Sequence, residues 1–222
     1  MKVAAAKGFS KRLADSLQPQ HESEDPLQLL LALVDIVDRS DSYMAGHSVR
    51  VAELSASLAR LVGSSHEDID FVRRVGLLHD IGKAGVPEKV LRKQGPLTAD
   101  ELHLIRLHPI LGASIMSRVE GAEAYVPAVL HHHERWDGAG YPAGLGMTDI
   151  PREARIIGVA DAYDAMTSYR SYGQALSAEE ALNELRTNSG SQFEPVLVDA
   201  MHDAFLYGLL GKKSVQRAAS FV

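Results

Sequence analysis

The chain has 222 residues, 45% of them apolar, with no cysteine and a formal net charge of −6. That length can bury one sizeable core, so a single domain is expected. The lack of cysteine excludes disulfides and thiolate zinc sites and suits a reducing cytoplasm. The acidic balance argues against nucleic-acid polymers as partners, since these call for a basic face. An anionic small substrate is still compatible with it, if metals and a few cations make one pocket locally positive. No stretch approaches the roughly 18 apolar residues of a membrane span, so no membrane insertion is expected.

In chain order, residues 1–24 have scattered Lys and Arg and no continuous apolar run, a poor signal peptide and a frayed or weakly helical tail. Leu27, Leu30, Leu31, Val34 and Val37 recur at three- and four-residue steps, with Pro26 suited to a first helical turn. Val51, Leu54, Leu58 and Leu61 continue that spacing, and Gly63 marks a helix stop. Phe71, Val75 and Leu78 form a third apolar face running straight into His79. Thr98-Ala99-Asp100-Glu101 has the form of a capping box and opens a helix carrying Leu102, Ile105 and His108. Further helices are expected over 122–133, 151–169, 177–188 and 195–209. The segment DGAGYPAGLG between them reads as a loop. With no alternating strands and no repeat, the expected fold is all-α: one helical bundle of roughly seven to nine helices over 25–211, with a C-terminal tail at 212–222.

The chemistry rests on ten histidines. Two runs stand out, LLHDIGKAGVP from Leu77 to Pro87 and HHERWDGAGYP from His132 to Pro142. Imidazole and carboxylate side by side, without cysteine, suit a hard-to-borderline divalent metal poised for hydrolysis. His79 and Asp80 end an apolar helix, so both side chains emerge from the core where ligands are held rigidly. A carboxylate there can bridge two cations while neighbouring imidazoles take one each. His21, His66 and His202 lie in polar or terminal surroundings and read as solvated. Three consecutive histidines cannot face one site equally on a helix, which sets His131 aside as a ligand.

Six ordered blocks, GHSVRV, LLHDIGKAGVP, LTADEL, LHPILG, HHERWDGAGYP and VADAYDAMTSYRSY, extend the pattern from about Asp41 to Asp199. In them the chain resembles the HD-GYP subgroup of the HD-domain metal-dependent phosphohydrolases. The resemblance implies an HD-type helical bundle. It also implies a metal cluster held by His47, His79, Asp80, His108, His132, His133 and Asp161, with Asp80 as the bridging carboxylate. The implied cofactors are two divalent transition-metal ions, with Fe, Mn, Ni and Zn all compatible. The implied reaction is hydrolysis of cyclic di-GMP to the linear dinucleotide, and on to GMP in some members, by a hydroxide that the two metals activate. Asp80 and Lys83 are the implied catalytic pair. Lys83, Arg170 and Tyr43 are expected at the substrate, and the Gly140-Tyr141-Pro142 loop at partner proteins, notably diguanylate cyclase (GGDEF) or regulatory domains in trans. A homodimer is compatible with all of this.

Two departures bear on substrate. Where the family commonly has Arg-Pro-Tyr and then Lys or Arg, this chain reads Arg170-Ser171-Tyr172-Gly173 and loses a cation. Members with three metals resemble one another in a glutamate four residues before the first motif histidine, which here is Tyr43. The alternatives are a cyclic-dinucleotide-sensing or cyclase-docking module with little turnover, and a phosphohydrolase for another cyclic or linear (di)nucleotide. Asp164, one turn after Asp161, reads either as an acceptor for a ligand imidazole or as a helix-surface charge. Glu134 and Asp137 read as orienting the glycine-rich loop.

Overall fold

The computed structural model describes residues 26–40, 46–168 and 175–209, with the side chains of residues 39 and 40 left aside. The expectations for both tails, Tyr43, Arg170 and Gly173 lie outside these residues. The described residues form nine helices: α1 (Pro26–Ser40), α2 (His47–Leu61), α3 (His66–Leu78), α4 (Ala99–Arg106), α5 (His108–Met116), α6 (Val126–His131), α7 (Arg152–Thr167), α8 (Ala178–Thr187) and α9 (Pro195–Leu206). A 3-10 turn at Ile81–Gly85 and a single α turn at Glu88–Leu91 link α3 to α4. No strand is present among the described residues, only an isolated bridge between Ser189 and Phe193.

Local signals set most of the ends. Ser65, Thr98 and Ser177 each accept from a backbone N–H three residues on, and Asp68, Glu101 and Glu180 reach back to complete capping boxes. At the end of α2, Gly63 takes φ 76°. Its N–H reaches Arg60 O, and Ser64 N–H reaches Ala59 O, satisfying two terminal carbonyls as glycine stops do.

Two expected helices break earlier than their apolar pattern suggests. The helix opened at Thr98 ends at Arg106, and His108 starts α5 instead, with Pro109 in its first turn. Proline lacks an N–H and clashes with the preceding turn, so it cannot continue α4. The stretch expected as one helix over 122–133 is a 3-10 turn, Glu123–Tyr125, followed by α6, which stops at His131. His132 and His133 therefore follow the last residue of α6 instead of lying within it.

The core is two clusters, one on either side of α7. On one side, Leu58, Val72, Ile156, Val159, Leu185 and Met201 pack together; on the other, Val51, Val75, Leu78, Ile81, Met116 and Ile157 do. Leu78 and Ile81 are fully buried and flank the His79-Asp80 pair. Each contributes about 1.5–3 kcal/mol by leaving water, which anchors the backbone that carries that pair.

Candidate metal centre

Helix ends converge on the middle of α7. His47 is the first residue of α2, His79 caps α3, His108 starts α5, and His132 and His133 follow α6. Asp161 faces them from within α7. His47, His79 and Asp80 form one compact ligand group, and Asp80, His108, His132 and His133 form a second, so Asp80 belongs to both. Its carboxylate lies 3.4 Å from His79 Nε2, 3.1 Å from His108 Nε2 and 3.7 Å from His47 Nε2. Asp161 Oδ1 lies 3.2 Å from His47 Nε2. All seven residues singled out as ligands are thus brought together.

The ring tautomers follow from what each Nδ1 touches. His79 Nδ1 lies 2.7 Å from Gly76 O, His108 Nδ1 2.7 Å from Ile105 O, and His132 Nδ1 2.7 Å from Val129 O. A carbonyl oxygen only accepts, so each Nδ1 carries the hydrogen and each neutral ring turns an Nε2 lone pair inward. His47 Nδ1 likewise carries a hydrogen, toward Asp164, whose Oδ2 lies 2.8 Å away. The Nε2 atoms of His47 and His79 are buried and make no hydrogen bond. His108 Nε2 and His132 Nε2 stand 3.1 Å apart. Lone pairs that close to each other and to two carboxylates repel unless cations lie among them. The donor set therefore fits divalent ions.

Electrostatics agree. Burial, then the neighbouring imidazoles, hold His132 well below the usual histidine range, and burial brings His133 down to about 4. Both stay neutral donors near pH 7. Burial opposes the ionised form of Asp80, but Lys83, His79 and His108 outweigh it and keep its carboxyl well below the usual range. Burial likewise opposes charge on His47, yet the Asp161 and Asp164 carboxylates carry it up to about 10, so near pH 7 a proton holds its Nε2 unless a divalent ion takes that place. The carboxylates demand positive charge at this end of the centre.

The residues around the ligands give them their orientation. Asp164 is buried and accepts from His47 Nδ1, from Arg50 Nε at 2.6 Å and from Arg50 Nη2 at 3.0 Å. It is an acceptor for the His47 imidazole, not a surface charge. Asp38, which carries no motif signal, is a buried carboxylate that accepts from Ser48 N–H at 3.2 Å and Ser48 Oγ at 2.8 Å. It caps the first turn of α2 from another helix, because Gly46 at the cap position has no side chain to do so. Nothing local in the sequence marks Asp38, and Arg50 lies in the GHSVRV block without a role that the block itself reveals, since their partners lie on other elements. Glu134 is buried and accepts from the N–H groups of Ala143 and Leu145, holding the glycine-rich loop as expected. Asp137 takes Arg135 and the N–H of Ala139. His131 turns to Glu134, outside both ligand groups, and His66 is exposed on α3.

Lys83 Nζ lies 2.6 Å from Asp80 Oδ2 at the edge of the centre. Tyr141 is half-buried, its ring stacked on His133 with centroids 5.0 Å apart. A cleft of about 190 Å³ opens from His133 and Asp161 between Trp136 and Arg155.

An Asp164→Asn variant is expected to hold metal about 10–100-fold more weakly, since it loosens the ring that Asp164 orients. Chelator competition followed by elemental analysis checks this; wild-type retention would make the His47–Asp164 contact incidental.

The HD domain family model matches residues 32–197. A cyclic di-GMP phosphodiesterase response regulator of Xanthomonas campestris is 35% identical over 88% of this chain and 52% of its own length. A 3'3'-cGAMP-specific phosphodiesterase of Vibrio cholerae is 34% identical over 80% of this chain and 34% of its own length. The crystal structure of a cyclic GMP-AMP-specific phosphodiesterase of V. cholerae shares the fold, with a TM-score of 0.65 and 21% identity over 86% of this chain and 52% of its own. The chain spans about half or less of the length of these relatives. With the matched region spanning both ligand groups and the His132–Pro142 run, this chain belongs to the HD-domain family, in its HD-GYP subgroup.

Proposed function

We propose that this chain is a metal-dependent phosphodiesterase that opens one phosphodiester of a cyclic dinucleotide, with cyclic di-GMP as first substrate and the linear dinucleotide as product. The observation that carries the reading is the inward set of Nε2 lone pairs around the shared Asp80 carboxylate. His47, His79, Asp80, His108, His132, His133 and Asp161 would hold two divalent ions. Such ions supply Lewis acidity toward a phosphoryl oxygen and acidify a water. The chain's own residues do the rest. Asp80 spans the two ligand groups, and the core-anchored helix ends keep the imidazoles from turning away. Lys83, beside Asp80 at the edge of the centre, would offer an ammonium to substrate phosphate. The names of the relatives support a cyclic dinucleotide over other phosphodiesters. The reading includes a docking role for the Gly140-Tyr141-Pro142 loop toward a cyclase domain in trans, through atoms other than those that rest on His133.

The test is turnover of protein loaded separately with Mn, Fe, Ni or Zn. Cyclic di-GMP, 3'3'-cGAMP and linear dinucleotides are offered, and products are resolved by chromatography. Conversion of cyclic di-GMP to its linear form is the expected result. Binding without turnover under every metal would establish the sensing or docking alternative instead.

Arg170→Ala is expected to raise the KM with metal content unchanged, by about 1.5–3 kcal/mol in binding for a charged hydrogen-bonding group. Gly173→Lys should tighten cyclic di-GMP binding if the chain has merely lost a cation. Wild-type kinetics in Arg170→Ala would show the substrate site to be misplaced.

The metal count follows from Tyr43. A phenol, with a reference pKa near 10, is a far poorer divalent-metal ligand than a carboxylate at neutral pH. Two metals are expected, with the reaction stalling largely at the linear dinucleotide. A third anomalous-diffraction peak of comparable occupancy beside Tyr43 in fully loaded crystals would contradict this.

A further inference from the structure

We infer that Arg106 binds the second phosphodiester of the substrate, the one that is not being cleaved. The inference rests on the phosphodiesterase reading and extends it to a residue outside the six motif blocks.

The cations around the centre are nearly all committed to carboxylates. Lys83 is paired with Asp80, Arg50 with Asp164, Arg155 with Glu194 and Arg135 with Asp137. Arg106 differs. It is exposed in the last turn of α4, and among the described residues it makes no hydrogen bond or ion pair. Its guanidinium instead lies 5.5 Å from the centroid of the Tyr141 ring. The same ring rests on the candidate ligand His133, 5.0 Å away. Tyr141 thus links a guanidinium to the centre through two ring contacts.

Held through a ring, a guanidinium keeps its N–H donors for another acceptor, and its planar fork matches two phosphate oxygens. A cyclic dinucleotide carries two phosphodiesters on one ring. When one is at the metals, the other sits several ångströms off and still negative. Arg106 at the rim meets that geometry. It also supplies, from α4, a positive charge of the kind that Gly173 no longer provides. The competing account is a solvated arginine favourably placed at the C-terminal end of a helix dipole, which would be indifferent to substrate.

The experiment compares metal-loaded wild type, Arg106→Ala and Arg106→Lys on two substrates. Cyclic di-GMP has two phosphodiesters and bis(p-nitrophenyl) phosphate has one. Arg106→Ala is expected to raise the KM for cyclic di-GMP about ten-fold, in the range for losing a charged hydrogen bond at an exposed site. The KM for bis(p-nitrophenyl) phosphate should shift far less, with kcat and metal content holding. Arg106→Lys should recover only part of the loss, because it keeps the charge but not the planar fork. Equal KM changes on both substrates, or none on either, overturn the proposal. So does a lysine variant as poor as alanine, which would indicate base stacking. Wild type that cleaves bis(p-nitrophenyl) phosphate but no cyclic dinucleotide sinks the functional reading and this proposal together. Wild type active on cyclic di-GMP with an unmoved KM in Arg106→Ala sinks only this one.

Discussion

Asp80→Ala protein is expected to purify with much less bound metal than wild type, to lose turnover by about 10³-fold or more, and to stay helical. The reasoning starts from position. Asp80 is the one residue common to both ligand groups, within 3.1–3.7 Å of three imidazole Nε2 atoms. Removing its carboxylate would leave the two ions of the proposed centre without the negative charge that both ligand groups share, and would take from Lys83 Nζ its 2.6 Å contact. A loss of about 4 kcal/mol in transition-state stabilisation corresponds to that 10³-fold, within what a metal centre supplies. The bundle should persist because Asp80 follows the end of α3, while the fully buried Leu78 and Ile81 on either side keep their places. Asp80→Asn keeps the volume without the charge and should fall between the two. Elemental analysis beside turnover checks the expectation. Full metal occupancy with retained activity in Asp80→Ala would remove the bridging role.

What the amino-acid sequence reveals of the fold and the centre depends on how local each signal is. The pairs His79-Asp80 and His132-His133 sit beside apolar faces and a glycine-rich turn, so the helix ends that carry them can be read from neighbouring residues. The Thr98 capping box and the Gly63 stop are equally local, and both are seen. The break before His108 is written in Pro109, but the apolar spacing of Leu102 and Ile105 carries the expected helix across it. The 100° step of a helix sets His131 aside as a ligand. The folded chain reaches the same outcome by another route, because α6 ends before the two histidines that matter. Contacts between distant elements leave no such local mark. Asp164 and His47 are 117 residues apart, and Asp164 admits two readings as long as its partner is unknown. Asp38 acts on Ser48 from a different helix, and Arg106 reaches Tyr141 only through the placement of α4. An unremarkable residue type acquires its role there from tertiary placement alone.

Gly82→Ala is expected to be the most disruptive glycine-to-alanine change among the described residues, because of what lies against it. Gly82 sits in the 3-10 turn between Asp80 and Lys83. A Cβ there would fall 1.9 Å from His108 O and 2.4 Å from Gly112 N, both backbone atoms of α5. Backbone cannot rotate aside as a side chain can, so α5 must retreat. Retreat is costly, since it unseats the fully buried Met116 of α5 from the core. Overpacking relieved only in that way reaches the upper end of its usual cost, about 3 kcal/mol. For a domain of this size that lowers Tm by roughly 6–12 °C. The same displacement pulls His108 away from Asp80 and His132, each now 3.1 Å off, so metal affinity should fall with stability. Gly85→Ala is the control on the same turn. Its Cβ would meet only the Leu111 side chain, at 2.9 Å from Cδ1, a flexible end that can move, and a shift of at most a few degrees is expected. Thermal unfolding of both variants, with metal analysis of the folded protein, separates the cases. If Gly82→Ala melts with Gly85→Ala and keeps its metal, the close seating of α5 on the His-Asp turn is not what holds the centre together.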